Sequence, residues 1–177
     1  MRDISEVKVF SRTPEKRDRF ASTMGERLGV NITAVDSKEA AADGMDVLIA
    51  VTNSVEPVIT GDMVAPGMHI NAAGNNSWMK RELDTAAITK ADLVACDDID
   101  QTKLECGELM CAAETGHFSW ASLVRLDHIV AGVRPARTSD NDITLFESQG
   151  VAFEDVAVCA RLYDLAIERG VGAPLPG

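Results

Sequence analysis

The sequence predicts an α/β fold: a parallel sheet covered by helices on both faces. Two observations carry this. Short runs such as "MDVLIAV" and "ADLVACD" are continuously apolar, and helical segments separate them. A strand buried on both sides needs apolar residues throughout, whereas hairpin sheets with one wet face alternate. A third observation bounds the class: no apolar run approaches the roughly 18 residues of a membrane span.

The elements follow in order. "EVKVF" is β-branched and alternating, and predicts a strand over residues 6–10. "RTPEKRDRFASTMGERLG" predicts a helix, with Thr13 at the N-cap, Pro14 at the first helical position, Phe20, Met24 and Leu28 at intervals of four, and Gly29 as its stop. "NITAV" is a second strand, "SKEAAADG" a short helix begun by Ser37, and "MDVLIAV" a buried strand. "GMHINAA", "ADLVACD" and "DITLFES" are further strands. "VAFEDVAVCARLYDLAIERG" is a long helix with Ala152, Phe153, Val156, Ala157, Ala160, Tyr163 and Ile167 on one face and Gly170 after it. Residues 103–118, "KLECGELMCAAETGHF", leave this rhythm and mark a joint, dividing the chain into residues 1–104 and 105–177.

Composition excludes several functions. A net charge of -11 over 177 residues repels a phosphate backbone, and no basic block offsets it, so a nucleic-acid role is not expected. Cys96, Cys106, Cys111 and Cys159 lack CxxC spacing, and His69, His117 and His128 are scattered, so no metal site is expected. Free thiols and the lack of a signal peptide point to the cytoplasm. "SWMK" fits S-x-x-K and "SDN" occurs at 139–141, but K-T-G is absent and there is no G-x-S-x-G elbow. A lone tryptophan such as Trp78 or Trp120 is more often packing than a ligand platform.

Three strand ends carry polar or small residues: "SRT" at 11–13, "TNS" at 52–54 and "NAAGNN" at 71–76. In open parallel sheets ligands sit beyond the carboxyl ends of the strands. Dinucleotide folds place an acid after the second strand to hold the adenosine ribose; here Ser11 stands there, beside Arg12. A neutral hydroxyl next to a guanidinium suits the 2′-phosphate of NADP. The same residues also read as a strand exit followed by a helix cap, and both readings can hold at once. No glycine-rich phosphate loop precedes residue 11.

"GMHINAAGNNSWMKRELD", "CGEL" and "DITLFESQGVAFEDVAV" together resemble the ornithine cyclodeaminase and mu-crystallin family, over about residues 6–172. The resemblance implies a Rossmann-like NAD(P) domain, incomplete here because the first strand and glycine loop are missing, with a C-terminal segment joining a substrate and dimerisation domain. It implies a start within a longer protein and a gap between two strands, where the first strand would pair. Carried over by position, Ser11 matches the adenosine-ribose site, with Arg12 and Thr13 next to it as further expected cofactor contacts, and Thr52 matches a loop beside the cofactor. Ile70, Asn71, Ala72 and Ala73 match the nicotinamide side, Lys80 a cofactor-contacting lysine, Ser148 a residue near the nicotinamide, and Gln149 a substrate contact.

Asn76 stands where the cyclodeaminases of the family carry the aspartate that moves a proton. An amide has no proton equilibrium near neutral pH and cannot act as a general acid or base. Hydride transfer at a carbon–nitrogen bond needs mainly cofactor placement. The expectation is therefore an NAD(P)-dependent oxidoreductase acting on an imine or amino acid, NADP preferred over NAD, working as a homodimer. The alternatives are an ornithine cyclodeaminase and a non-catalytic NADPH binder or inactive fragment.

Overall fold

The computed structural model describes residues 3–173; the outermost residues of the two expected segments, 1–2 and 174–177, lie outside them. Strand β1 (Glu6–Val9) leads into helix α1 (Pro14–Leu28). Pro14 occupies the first turn, where its missing N–H has no partner to lose. Gly29 closes the helix at φ 65°, the left-handed region glycine tolerates. Thr13 sits at the N-cap, but its hydroxyl makes no capping bond. Strand β2 (Asn31–Ala34) returns parallel to β1. Helix α2 (Lys38–Ala42) begins at Ser37, whose Oγ accepts the Ala40 N–H at 3.0 Å.

Strands β3 (Val47–Ala50) and β4 (His69–Ala72) come next, then α3 (Thr85–Lys90), β5 (Leu93–Cys96), α4 (Ile99–Glu105) and α5 (Gly107–Glu114). The chain closes with β6 (Val124–Arg125), α6 (Leu126–Val130), β7 (Thr144–Glu147) and α7 (Ala152–Arg169). The result is α/β, with parallel sheets and helices on both faces. β1 and β2 pair with each other, and the remaining strands form one sheet in the order β3-β4-β7-β5-β6. All the pairings are parallel. The expected gap falls between β1 and β3, where the two sheets part.

The larger sheet has two unlike faces. Leu48, Ile70, Leu145 and Val94 align in register across four strands, with Ala50, Ala72, Glu147 and Cys96 one step on, and all are buried. Helices α3 and α5 close over this face through Ala87, Ile88, Leu109 and Ala112. On the other face Ile49, Asn71 and Phe146 align, and Ile49 is 66% exposed. No described helix is long and apolar enough to cross a membrane.

Three expectations meet their limits here. Residues 103–118, the expected joint, hold the end of α4 and all of α5. Asp98 caps α4 by accepting the Gln101 N–H at 2.9 Å, and helices this short carry too few turns for periodicity to reveal them. Of the apolar residues spaced along α1, Phe20 and Leu28 are exposed, and the helix buries only Ala21. The predicted apolar face of α7 exists as a helix face, yet it buries nothing.

Candidate functional site

Because the strands are parallel, their carboxyl ends share one edge, and the chain knits that edge together from below. The Glu82 carboxylate accepts the Thr52 N–H at 2.5 Å on one oxygen and the Gly74 N–H at 2.7 Å on the other. It thereby fixes the exits of β3 and β4 against each other. Ala73 N–H donates to Ala50 O at 3.0 Å, and Ser148 N–H to Ala72 O at 2.9 Å, extending the seam to β7. Gly74 is obligatory by crowding: a Cβ there would lie 2.1 Å from Thr52 N and 2.5 Å from Glu82 Oε1. Asn75 is buried, and its Nδ2 donates to Ser54 O at 3.3 Å.

Asp97 does for β7 what Glu82 does for β3 and β4. Its Oδ2 accepts from Ser148 Oγ at 2.9 Å and from the N–H groups of Gln149 and Gly150 at 3.0 and 2.9 Å. A carboxylate collecting three donors is a strong anchor for the backbone that turns toward α7.

The gap between β1 and β3, where the family resemblance puts a further strand, is a cleft of about 720 Å³ walled by strand residues such as Val9, Leu48 and Ile49; Ser11, Arg12, Thr52, Ser54 and Gly74 line it at the strands' carboxyl ends. Arg12 is exposed and makes no ion pair among the described residues, so its permanent charge is available to a ligand. Ser11 is half-buried, and its Oγ accepts the Thr13 N–H at 3.5 Å. The carboxyl-end mouth of the cleft thus presents a hydroxyl and a guanidinium that makes no ion pair among the described residues.

The expected site residues divide into groups. Ser11, Arg12 and Thr52 share this cleft, whereas Thr13 stands exposed outside its lining. Ile70 and Ala72 point into the core and could offer a ligand backbone only. Asn71 faces the other way, level with the cleft residue Ile49, and its Oδ1 lies 3.3 Å from His69 Nε2. Ala73 and Asn76 are exposed on the loop beyond β4, beside Trp78, which is 63% exposed. Lys80 is half-buried, and its carbonyl presses on Gly107, where a Cβ would come within 2.3 Å of it. Ser148 is held by Asp97; Gln149 is turned inward, its Oε1 accepting from Thr102 Oγ1 at 2.9 Å. Trp120 packs edge-on against Phe118 and so belongs to the core's margin.

Behind the rim lies a group of acids that sequence reasoning missed. Glu82, Glu108 and Glu147 are all buried, and the Glu82 N–H donates to Glu108 Oε1 at 3.4 Å. Burial pushes the Glu108 carboxyl up to about 7, and the neighbouring Glu82 charge acts in the same direction. Burial raises Glu147 far above the ordinary carboxylate range, with the Glu108 charge adding to it. The signal for Glu147 was present in the strand alternation, since it shares a face with Leu145 two residues earlier.

Residues 1–170 match the ornithine cyclodeaminase/mu-crystallin family. The chain belongs to this family. It is 33% identical over 173 residues to a Delta(1)-pyrroline-2-carboxylate reductase of Bacillus cereus, covering 97% of this chain and 53% of the relative. It is 34% identical to the alanine dehydrogenase of Archaeoglobus fulgidus, covering 98% of this chain and 52% of that one. Among solved structures, the Thermococcus litoralis Delta(1)-pyrroline-2-carboxylate reductase, in complex with NADH and L-proline, superposes with a TM-score of 0.93 at 32% identity. That match covers 98% of this chain and 54% of the other. This family member therefore spans about half the length of the curated relatives it matches.

Proposed function

We propose that this chain is the dinucleotide-holding part of a reductase or dehydrogenase acting on a small imine or amino acid, with NADP(H) as the preferred cofactor. The observation that carries the reading is the convergence of Ser11, Arg12, Thr52 and Gly74 on one cleft at the carboxyl ends of parallel strands. The residues present fit the adenosine end of such a cofactor: a neutral hydroxyl leaves room for a 2′-phosphate, and Arg12, with no ion pair among the described residues, supplies its counter-charge. Thr52 and Gly74 line the same cleft, with their N–H groups held by Glu82.

When bound, the nicotinamide exchanges a hydride with the substrate carbon. The chain's own part is placement. Glu82 and Asp97 hold the loops after β3, β4 and β7, and Asn71 near the end of β4 and Ser148 just after β7 are the residues that would contact the nicotinamide. Asn76 can orient a nitrogen or a water but cannot exchange a proton, which favours hydride transfer over cyclodeamination. The reading includes a homodimer, the assembly named for the archaeal alanine dehydrogenase of known structure.

The test supplies NADPH or NADH with pyrroline- or piperideine-2-carboxylate and follows nicotinamide absorbance. Oxidation of NADPH faster than NADH, with Arg12→Ala erasing the preference, is the expected result. No absorbance loss with any imine, together with proline formed from ornithine, would replace this reading with cyclodeamination. A second reading, a binder without turnover, is supported by Asn76, whose amide cannot exchange a proton with a substrate. Calorimetric binding of NADPH with no turnover of any imine would decide for it.

A further inference from the structure

We infer that the buried Cys106, Glu108 and Glu147 form a binding site for a divalent transition cation of the zinc type, behind the rim and independent of the dinucleotide cleft. One ligand atom from each of the three lies within 4.8 Å of the others, and all three side chains are buried. Cys106 Sγ is 3.6 Å from Glu147 Oε2. In a tetrahedral zinc site, with metal–sulfur near 2.3 Å and metal–oxygen near 2.0–2.2 Å, neighbouring ligand atoms stand about 3.3–3.8 Å apart. The thiol and carboxylate already have that spacing.

Glu147 is 1% exposed, and its Oε1 has no hydrogen-bond partner among the described residues. A carboxylate oxygen this deeply buried and unsatisfied is unfavourable unless something positive or protic meets it. Glu82, by contrast, is fully engaged by Thr52 and Gly74 N–H groups, so it contributes charge to the neighbourhood rather than a free ligand atom. Arg81 is a cation acting on Glu108, and its guanidinium donates to Cys111 Sγ at 3.2 Å. A thiolate and two carboxylates carry three negative charges, of which a divalent ion cancels two.

Ligand type selects the ion. A thiolate is a soft donor that magnesium and calcium do not favour, whereas a mixed sulfur and oxygen set suits zinc, cobalt or iron. The spacing of cysteines along the chain hides the site, because Glu147 lies on β7 and meets Cys106 and Glu108 only where that strand inserts beside β5. A site this enclosed fills as the chain folds, so metal and folding are coupled.

The experiment refolds the 177-residue chain with cobalt chloride or zinc chloride alone. One equivalent of cobalt should bind with a near-ultraviolet thiolate-to-cobalt charge-transfer band, and zinc should raise the melting temperature. Cys106→Ser should abolish the band, while Cys111→Ser and Cys159→Ser keep it. Glu147→Gln retains the thiol and guards against misfolding of the serine variant; it should weaken cobalt binding about tenfold or more. Absence of the band, or its survival in Cys106→Ser, would overturn the site and leave the acids neutralised by protons.

Discussion

Helices α5 and α7 obey the same local rules and meet opposite fates. α5 has eight residues and buries Gly107, Glu108, Leu109 and Ala112. α7 has eighteen, carries Glu154 and Asp155 in its first turn and Arg169 in its last, ends on a left-handed Gly170, and buries none. Charges matched to the helix dipole and a glycine stop make α7 the better-specified helix. The shorter one nevertheless holds the core together. Helix formation is decided within a few turns, whereas burial is decided by what lies opposite. α5 has α3 to meet and, through Glu108 and Glu147, β7, and its Gly107 lets the backbone come up against the carbonyls of Lys80 and Trp78.

The sharpest probe of this contrast is thiol labelling. Cys159 on α7 is exposed, whereas Cys96 and Cys106 are buried beside α4 and α5, and burial lifts the Cys96 thiol to about 11. With a disulfide reagent at pH 8, Cys159 should react first and half-buried Cys111 later. Cys96 and Cys106 should follow only through global opening, slower by on the order of a thousandfold. Equal rates at all four positions would erase the distinction between core and bare helix.

Next in size is a core deletion. Leu145 lies on β7 between Ile70 and Val94 and is 1% exposed. Leu145→Ala should lower unfolding stability by about 2–5 kcal/mol in urea titration. A loss under about 1 kcal/mol would mean that the sheet is not packed as described. Glu82→Ala probes the rim instead. It strands the N–H groups of Thr52 and Gly74, and should lower stability by about 2–3 kcal/mol while weakening NADPH binding in calorimetry. Unchanged stability would show that another group ties β3 to β4.

Much of this architecture was legible before the fold was known. The ends of α1 and α7, the cap at Ser37 and the apolar strands are local properties, and they appear where the residues call for them. So did the parting of the sheets, which followed from a family resemblance rather than from periodicity. What stayed hidden was relational. Nothing in "DITLFES" says that β7 will enter between β4 and β5. The roles of Glu82 and Asp97 depend on backbone N–H groups that arrive from other segments. That Ser11, Arg12 and Thr52 line one cleft follows from their places at strand ends, which the sequence shows. Gln149 was harder, because its inward turn toward Thr102 is set by α4, an element too short to foresee.

The smallest expected effect completes the contrast. Phe153 and Tyr163 are 65% and 68% exposed on α7, so removing either ring takes away little that the chain has buried. Phe153→Ala and Tyr163→Ala should each change stability by no more than about 0.5 kcal/mol, against the several expected for Leu145. The comparison is informative because alanine also raises helix propensity, so a neutral or slightly stabilising result follows from local physics alone. A loss above about 1 kcal/mol at either ring would show that α7 lies against something in solution. Its apolar face would then be a contact surface, and the difference between the two helices would be one of partner rather than of burial.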